Sequence, residues 1–389
     1  MRTVLSIAGL FMLLSLLACG SPKVVSPKDA TPPSEVKAPV AELQGWEKEW
    51  NATLAQAKKE GKVTVYSTSG SEVRVAFNNA FTKKYGIELD MVVAKGAEVS
   101  NKVLTERRAG LYLVDVYVGG STTIITALKP AGTLDPLRPA LILPEVTDPG
   151  VWWQNQIPIT VDREKKYILQ YSATLNLREI LQNGDLVKEG ELASYYDLLQ
   201  PKYKEKVAIM DPITAGRGLK WFGSLLASNS LPVDYMRSLA KQEPLITRND
   251  RLPVEWVARG RYLVGIALAV DPIKEFTEAG FNLREGSFKE DVPRVTAPGG
   301  GNLSLMNKAP HPAAAKVFIN WMLSKEGQTV WSKASSYQSA RLDVPTDHIA
   351  PYNLRIAGLN YFDTENEDFL EKQTDQSKLA KEIFGPLMR

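Results

Sequence analysis

The stretch from Lys62 to Ala94 constrains the fold most. KVTVYST, Lys62 to Thr68, is a β-branched run that reads as a buried strand. Ser69-Gly70-Ser71 breaks it. Glu72 to Tyr85 then places Val73, Ala76, Phe77, Ala80 and Phe81 at helical spacing, and Gly86 stops the run. IELDMVVA, Ile87 to Ala94, is a second strand. The alternation continues. Val99 to Ala109 predicts a helix, Leu113 to Gly120 a third strand, and Ser121 to Leu128 a helix stopped by Pro130. Strands joined by helical crossovers pair in parallel, and such a sheet needs helices on both faces. The spacing of Trp46, Trp50, Leu54 and Ala57 adds a helix in front. The folded part therefore opens as an α/β domain.

The middle of the chain is less regular. Trp152 to Ile159 and Tyr167 to Leu177 read as extended segments around the charged turn DREKK. Lys206 to Met210 reads as a strand, followed by the loop ITAGRG and a helix with Leu219, Phe222, Gly223, Leu226 and Ala227 inward. Arg261 to Val270 reads as a strand ending at Asp271-Pro272. Pro312 to Lys325 is a strongly amphipathic helix. The 389 residues suffice for about two domains of ~150 residues beyond a leader. With 47 Lys and Arg against 44 Asp and Glu, the net charge of +3 is too small to suggest nucleic acid.

There is one cysteine, so no intramolecular disulfide framework or thiolate metal cluster can form. Cys19 closes an uncharged run, Val4 to Leu17, whose length suits a signal-peptide core better than the ~20 residues of a membrane span. Leu16-Leu17-Ala18-Cys19 resembles the lipobox of bacterial lipoproteins. That resemblance implies cleavage after residue 18, a lipidated Cys19, and a protein held by lipid on the outer face of the cell membrane or the periplasmic side of a membrane. Residues 19–45, rich in Pro, Ser, Lys and Glu, read as the lipidated cysteine and a disordered tether.

Three stretches carry a wider resemblance: VTVYSTSGSEVRVAFNNAFTKKYGIEL, SYYDLLQPKYKEKVAIMDPITAGRG and GGGNLSLMNKAPHPAAAKVFINWMLSKEGQ. Together they resemble the solute-binding proteins of ATP-binding-cassette importers, in the branch of ferric-iron, polyamine, thiamine and phosphonate binders. Tyr195 stands where that family often has Trp. The resemblance covers about Lys62 to Gln328. It implies a type II periplasmic-binding fold: two α/β lobes, each a mixed, mostly parallel sheet flanked by helices, closing on a solute by hinge motion. The lobes are expected at 46–130 plus 295–345 and at 131–294, with C-terminal helices over 346–389 packing on a lobe. The implied partners are a small solute and a membrane permease. A monomer without cofactor, metal or nucleic acid is expected.

Loops at strand ends that precede helices suit anionic or carbonyl groups, because free N–H groups gather there and Ser and Thr add donors. The candidate binding residues are Ser67, Thr68, Ser69 and Gly70 after the first strand, and Gly120, Ser121 and Thr122 after the third. Thr214, Gly216 and Arg217 lie before the helix of the middle part, with Asp271 and Asn302 at further chain turns. Arg217 suits a carboxylate or phosphate, and Asp271 a ligand amine. The resemblance also places the paired tyrosines of ferric-binding relatives near Val270-Asp271, where this chain has none. The Tyr195-Tyr196 pair reads as packing, so an anionic or zwitterionic solute is expected rather than iron. No G-x-S-x-G, H-E-x-x-H or P-loop motif is present, and there are two histidines, so no catalytic residue is assigned. A ferric-iron-binding protein of the same fold, and a lipid-anchored enzyme or sensor module, stay as alternatives.

Overall fold

The β-branched runs form strands where their spacing places them. The computed structural model describes residues 44–172, 175–176, 180–286, 294–296, 301–349, 354–355 and 361–388. Cys19, the tether and Gly299-Gly300 lie outside the described residues. The strands are β1 (Lys62–Ser67), β2 (Glu88–Val93), β3 (Val116–Gly119), β4 (Leu134–Asp135), β5 (Leu169–Gln170), β6 (Leu175–Asn176) and β7 (Ile180–Asn183). They continue as β8 (Val207–Met210), β9 (Leu245–Thr247), β10 (Val264–Ile266), β11 (Leu283–Glu285), β12 (Arg294–Thr296), β13 (Asn302–Met306) and β14 (Tyr361–Asp363).

One sheet has the order β2-β1-β3-β13-β4, with β5 also on β13. β1 runs parallel to β2 and β3, whereas β13 is antiparallel to its neighbours, so the sheet is mixed. A second sheet has the order β11-β7-β10-β8-β9. A third, β14-β12-β6, lies between them in connectivity: the chain passes β5 to β6 to β7 outward, and β11 to β12 to β13 on return. Two crossings of this kind define two lobes.

Each lobe has its own apolar core. One face of the first sheet packs Phe77, Phe81, Phe318 and Trp321, whose rings meet edge-on or tilted at 5.3–6.1 Å. Its other face buries Tyr66, Tyr117, Val103, Ile124 and Leu128. The second core holds Ile209, Trp221, Phe222, Val257 and Ile266. Among the described residues, no helix is long and apolar enough to cross a membrane.

Several expectations need correction. Leu137, Val146, Trp152, Ile159, Leu169 and Tyr171 belong to the first core, so most of the segment from 131 to about 171 serves lobe one rather than lobe two. The second core begins near Ile180. Trp152 to Ile159 is not extended: Pro149–Val151 and Trp153–Asn155 form 3₁₀ turns, and Gln154 has φ +62°. The strand expected over Arg261 to Val270 spans only Val264–Ile266, because Ala267 turns to φ +57° and a helix starts at Val270. Pro272 is tolerated there since early helical N–H groups have no partner to lose. The C-terminal chain packs on both lobes. Phe369 and Leu370 enter the first, and Ala380, Ile383 and Phe384 the second.

His311 caps the helix Pro312–Leu323 and has a buried partner. Asp115, fully buried, accepts from Thr64 N at 2.7 Å, His311 N at 2.7 Å and the His311 ring at 2.9 Å. Burial raises the Asp115 carboxyl, and these donors counter part of that shift. The histidine thus pins a helix start to the sheet.

Candidate solute-binding site

The carboxyl end of the first sheet collects most of the expected residues. Ser67 ends β1 fully buried, and its Oγ accepts from Ser69 N at 2.9 Å. Thr68 N donates to Val118 O at 3.0 Å, which ties this loop to β3. Gly70 leads into the helix Ser71–Phe77, and Gly120 into the turn Ser121–Thr123, which continues as a π-helical turn, Ile124–Leu128. Gly119 is required by space: a Cβ there would lie 2.3 Å from Tyr117 Oη and 2.8 Å from Thr68 Oγ1. Asn302, opposite Gly119 in register, is fully buried, and neither amide atom has a protein partner. Ser304 Oγ, two residues along the same strand face, is also without one.

Two tyrosines that the sequence reading leaves out shape this end. Burial lifts the Tyr117 phenol to about 12, against the pull of Thr123, Thr68 and the Gly120 amide. Burial also raises Tyr171 well above its ordinary range, opposed by the Ser69 hydroxyl. Both phenols stay neutral, so this end of lobe one offers hydrogen bonds rather than charge.

The facing loop of lobe two is built on Asp211. Its carboxylate accepts from Ile213 N at 2.8 Å, Thr214 Oγ1 at 2.6 Å and Arg248 Nε at 2.7 Å. Burial works to raise this carboxyl, but Thr214 and Arg248 hold it below the usual range. The Thr214 hydroxyl is therefore committed to shaping the loop. Gly216 precedes the helix Arg217–Ala227. Arg217 is half exposed and pairs with the exposed Asp250 at 3.1 Å. Asp271 falls in the first turn of the helix Val270–Glu278, not at a strand end, and its side chain lies outside the described residues.

Lys220, one turn beyond Arg217, makes the connection between lobes. Its Nζ donates to Glu365 Oε1, while Ser121 Oγ donates to Glu365 Oε2. Glu365 is 2% exposed. The structure so brings Ser121 and the start of the Arg217–Ala227 helix to one buried carboxylate. Lys220 had a legible signal, its place three residues after Arg217 on one helical face. Glu365 had none.

Beside β14 lies a cavity of about 160 Å³, lined by Trp153, Gln154, Gln170, Ser172, Tyr361 and Asp363 among others. Trp153 walls it, whereas Trp152 is core. Arg355 stands over the rings of Trp153 at 5.2 Å and Tyr361 at 5.8 Å. Burial lowers the Arg355 guanidinium to about 10, with Asp363 opposing. The Tyr195-Tyr196 pair packs on Tyr235, with ring centroids at 6.1 and 5.2 Å. Among the described residues, no group of three or more His, Cys, Asp or Glu could hold a metal ion.

Comparison with known proteins fits this architecture. Iron-bound HitA from Pseudomonas aeruginosa is 18% identical, with a TM-score of 0.60 over 83% of this chain and 99% of that one. AfuA from Actinobacillus pleuropneumoniae, with fructose-6-phosphate bound, is 20% identical, with a TM-score of 0.57 over 84% and 98%. These likenesses show the two-lobed type II fold. An uncharacterized protein of Haemophilus influenzae is 23% identical over 345 residues, 85% of this chain and 94% of that one. Residues 64–329 match the family model of bacterial extracellular solute-binding proteins, nearly the span that the three sequence stretches cover. The chain belongs to the bacterial extracellular solute-binding protein family.

Proposed function

We propose that this protein captures a small anionic or zwitterionic solute between its lobes and delivers it to the permease of an ATP-binding-cassette importer, while Cys19 anchors it by lipid. One observation carries the charge preference. The position between Ser121 and Lys220 holds a buried carboxylate, so it supplies what a carboxylate or phosphate needs. Asn302 adds amide donors and acceptors without protein partners. A phosphate-bearing sugar in the neighbour AfuA is compatible with this preference.

Native mass spectrometry of the protein purified without refolding tests capture. A small adduct that disappears on denaturation is expected, and its mass names the solute. Lys220→Ala should weaken binding of that solute by about 10- to 100-fold, the worth of one charge-assisted hydrogen bond. An unchanged affinity would remove Lys220 from the site. The anchor has a separate test: Cys19→Ala should move the protein from the detergent phase to the aqueous phase, and continued detergent partitioning would refute lipidation.

A further inference from the structure

Glu365 belongs to none of the three stretches that carry the family resemblance, yet it is 2% exposed and meets both lobes. The chain reaches it from β14, where its amide donates to Asp363 Oδ1 at 2.8 Å. Immediately afterwards the segment is fastened to lobe one. Glu367 accepts from Lys129 Nζ at 2.7 Å and from Arg163 N at 2.9 Å, and Glu367 N donates to Val161 O at 2.9 Å. The next helix, Gln373–Phe384, is fastened to lobe two, with Ser377 Oγ donating to Ile213 O at 2.6 Å. The segment is a strap across both lobes, and the Glu365 carboxylate stands at its start, just ahead of the lobe-one fastening.

A carboxylate taken out of water costs several kcal/mol unless partners restore what hydration supplied. Glu365 has two such partners, one hydroxyl from lobe one and one ammonium from lobe two. Neither lobe alone provides both. The pairing therefore holds only while the lobes stand together, and it takes up the donors that an acidic solute would use.

We propose that Ser121 and Lys220 form a carboxylate-binding site which the solute-free protein fills with its own Glu365, and that a solute's acid group enters by displacing this side chain. The inference rests on the solute-capture reading above and specifies how the site is kept. A carboxylate held in place by the fold pays little association entropy, so a free anion must bind more tightly than the tethered group to displace it. Weak, abundant anions are thereby turned away, and the lobes are held together before any solute arrives.

Acetate is the probe, since it is the Glu365 carboxylate without its tether. Melting temperatures of the full-length protein are compared in sodium acetate and in sodium chloride at equal ionic strength and pH 7. Glu365→Ala should gain about 2 to 4 °C once acetate stands about tenfold above its dissociation constant. The wild-type protein and the double variant Glu365→Ala/Lys220→Met should gain nothing. An equal response in all three overturns the proposal. Should Glu365→Ala fail to fold, Glu365→Gln is examined by reductive methylation: Lys220 should react at least tenfold faster than in the wild-type protein, and equal rates overturn the proposal. Acetate rescue in a protein that captures no solute would uphold the carboxylate site and remove the importer reading. A captured acidic solute with no acetate response would do the reverse.

Discussion

Arg341→Ala should lower the stability of the folded protein by about 2 to 4 kcal/mol, the result of removing a buried guanidinium and the several charge-assisted hydrogen bonds it donates. Arg341 is 3% exposed and makes four hydrogen bonds through its guanidinium. Nε and Nη2 donate to the two oxygens of Asp343 at 2.9 Å each. Nη1 donates to Glu145 O at 2.7 Å and Leu323 O at 3.0 Å, and the plane lies 5.3 Å from the Trp152 ring. The residue therefore joins the C-terminus of the helix Pro312–Leu323, the short helix Pro144–Thr147 and the segment after Ala340. Alanine leaves the buried Leu323 carbonyl, the partly buried Glu145 carbonyl and a carboxylate without these donors. Burial works to raise Asp343, but Arg341 holds it below the usual carboxylate range, so the anion is present to be orphaned. Urea unfolding measures the loss, and a drop under about 1 kcal/mol would contradict the network. Arg341→Lys should recover only part of it, since an ammonium cannot reproduce the fork.

Gly218→Ala should strike both stability and binding. A Cβ at Gly218 would lie 2.3 Å from the carbonyl oxygens of Met210 and Asp211, and backbone cannot swing aside as a side-chain end can. The helix Arg217–Ala227 must then lift from the end of β8. Overpacking of this kind costs about 1 to 3 kcal/mol. The functional loss should be larger in proportion, because Lys220 rides on the same first turns and displacement of about 1 Å is enough to weaken a positioned contact about 100-fold. Gly223→Ala is the internal control. Its Cβ meets the side-chain amide of Gln376, which can rotate away, so solute affinity should be retained. Equal loss in both variants would show that the close approach at Gly218 is not what sets Lys220.

How much was legible divides by distance along the chain. β1 and β2 formed within a residue or two of where their β-branched runs placed them, and the helix between them ran as expected, apart from a π turn at Asn78–Thr82. Burial of one face leaves its mark on neighbours two, three or four residues apart, which is why such elements can be read locally. The middle is illegible where no period exists. Ala267 at positive φ cut a strand short, and the Trp152 segment, which lacks a repeat, packs in lobe one through contacts with Arg341. Ser121 could be named in advance from its place after a strand. Its partner could not.

By itself the sequence determined that residues 46–130 alternate strand and helix, that the loops ending β1 and β3 carry Ser, Thr and Gly, and that three stretches share a family pattern. Each of these rests on short-range spacing or on a contiguous motif. Only the tertiary structure decided which lobe received residues 131–171, that Thr214 is bound to Asp211, and that Ser121 and Lys220 meet one carboxylate. Glu365 stands 244 residues from the first and 145 from the second. No local period links such positions. They meet because crossing strands bring two lobes together and a C-terminal strap runs over both, and a buried charge settles where donors from each can replace its water.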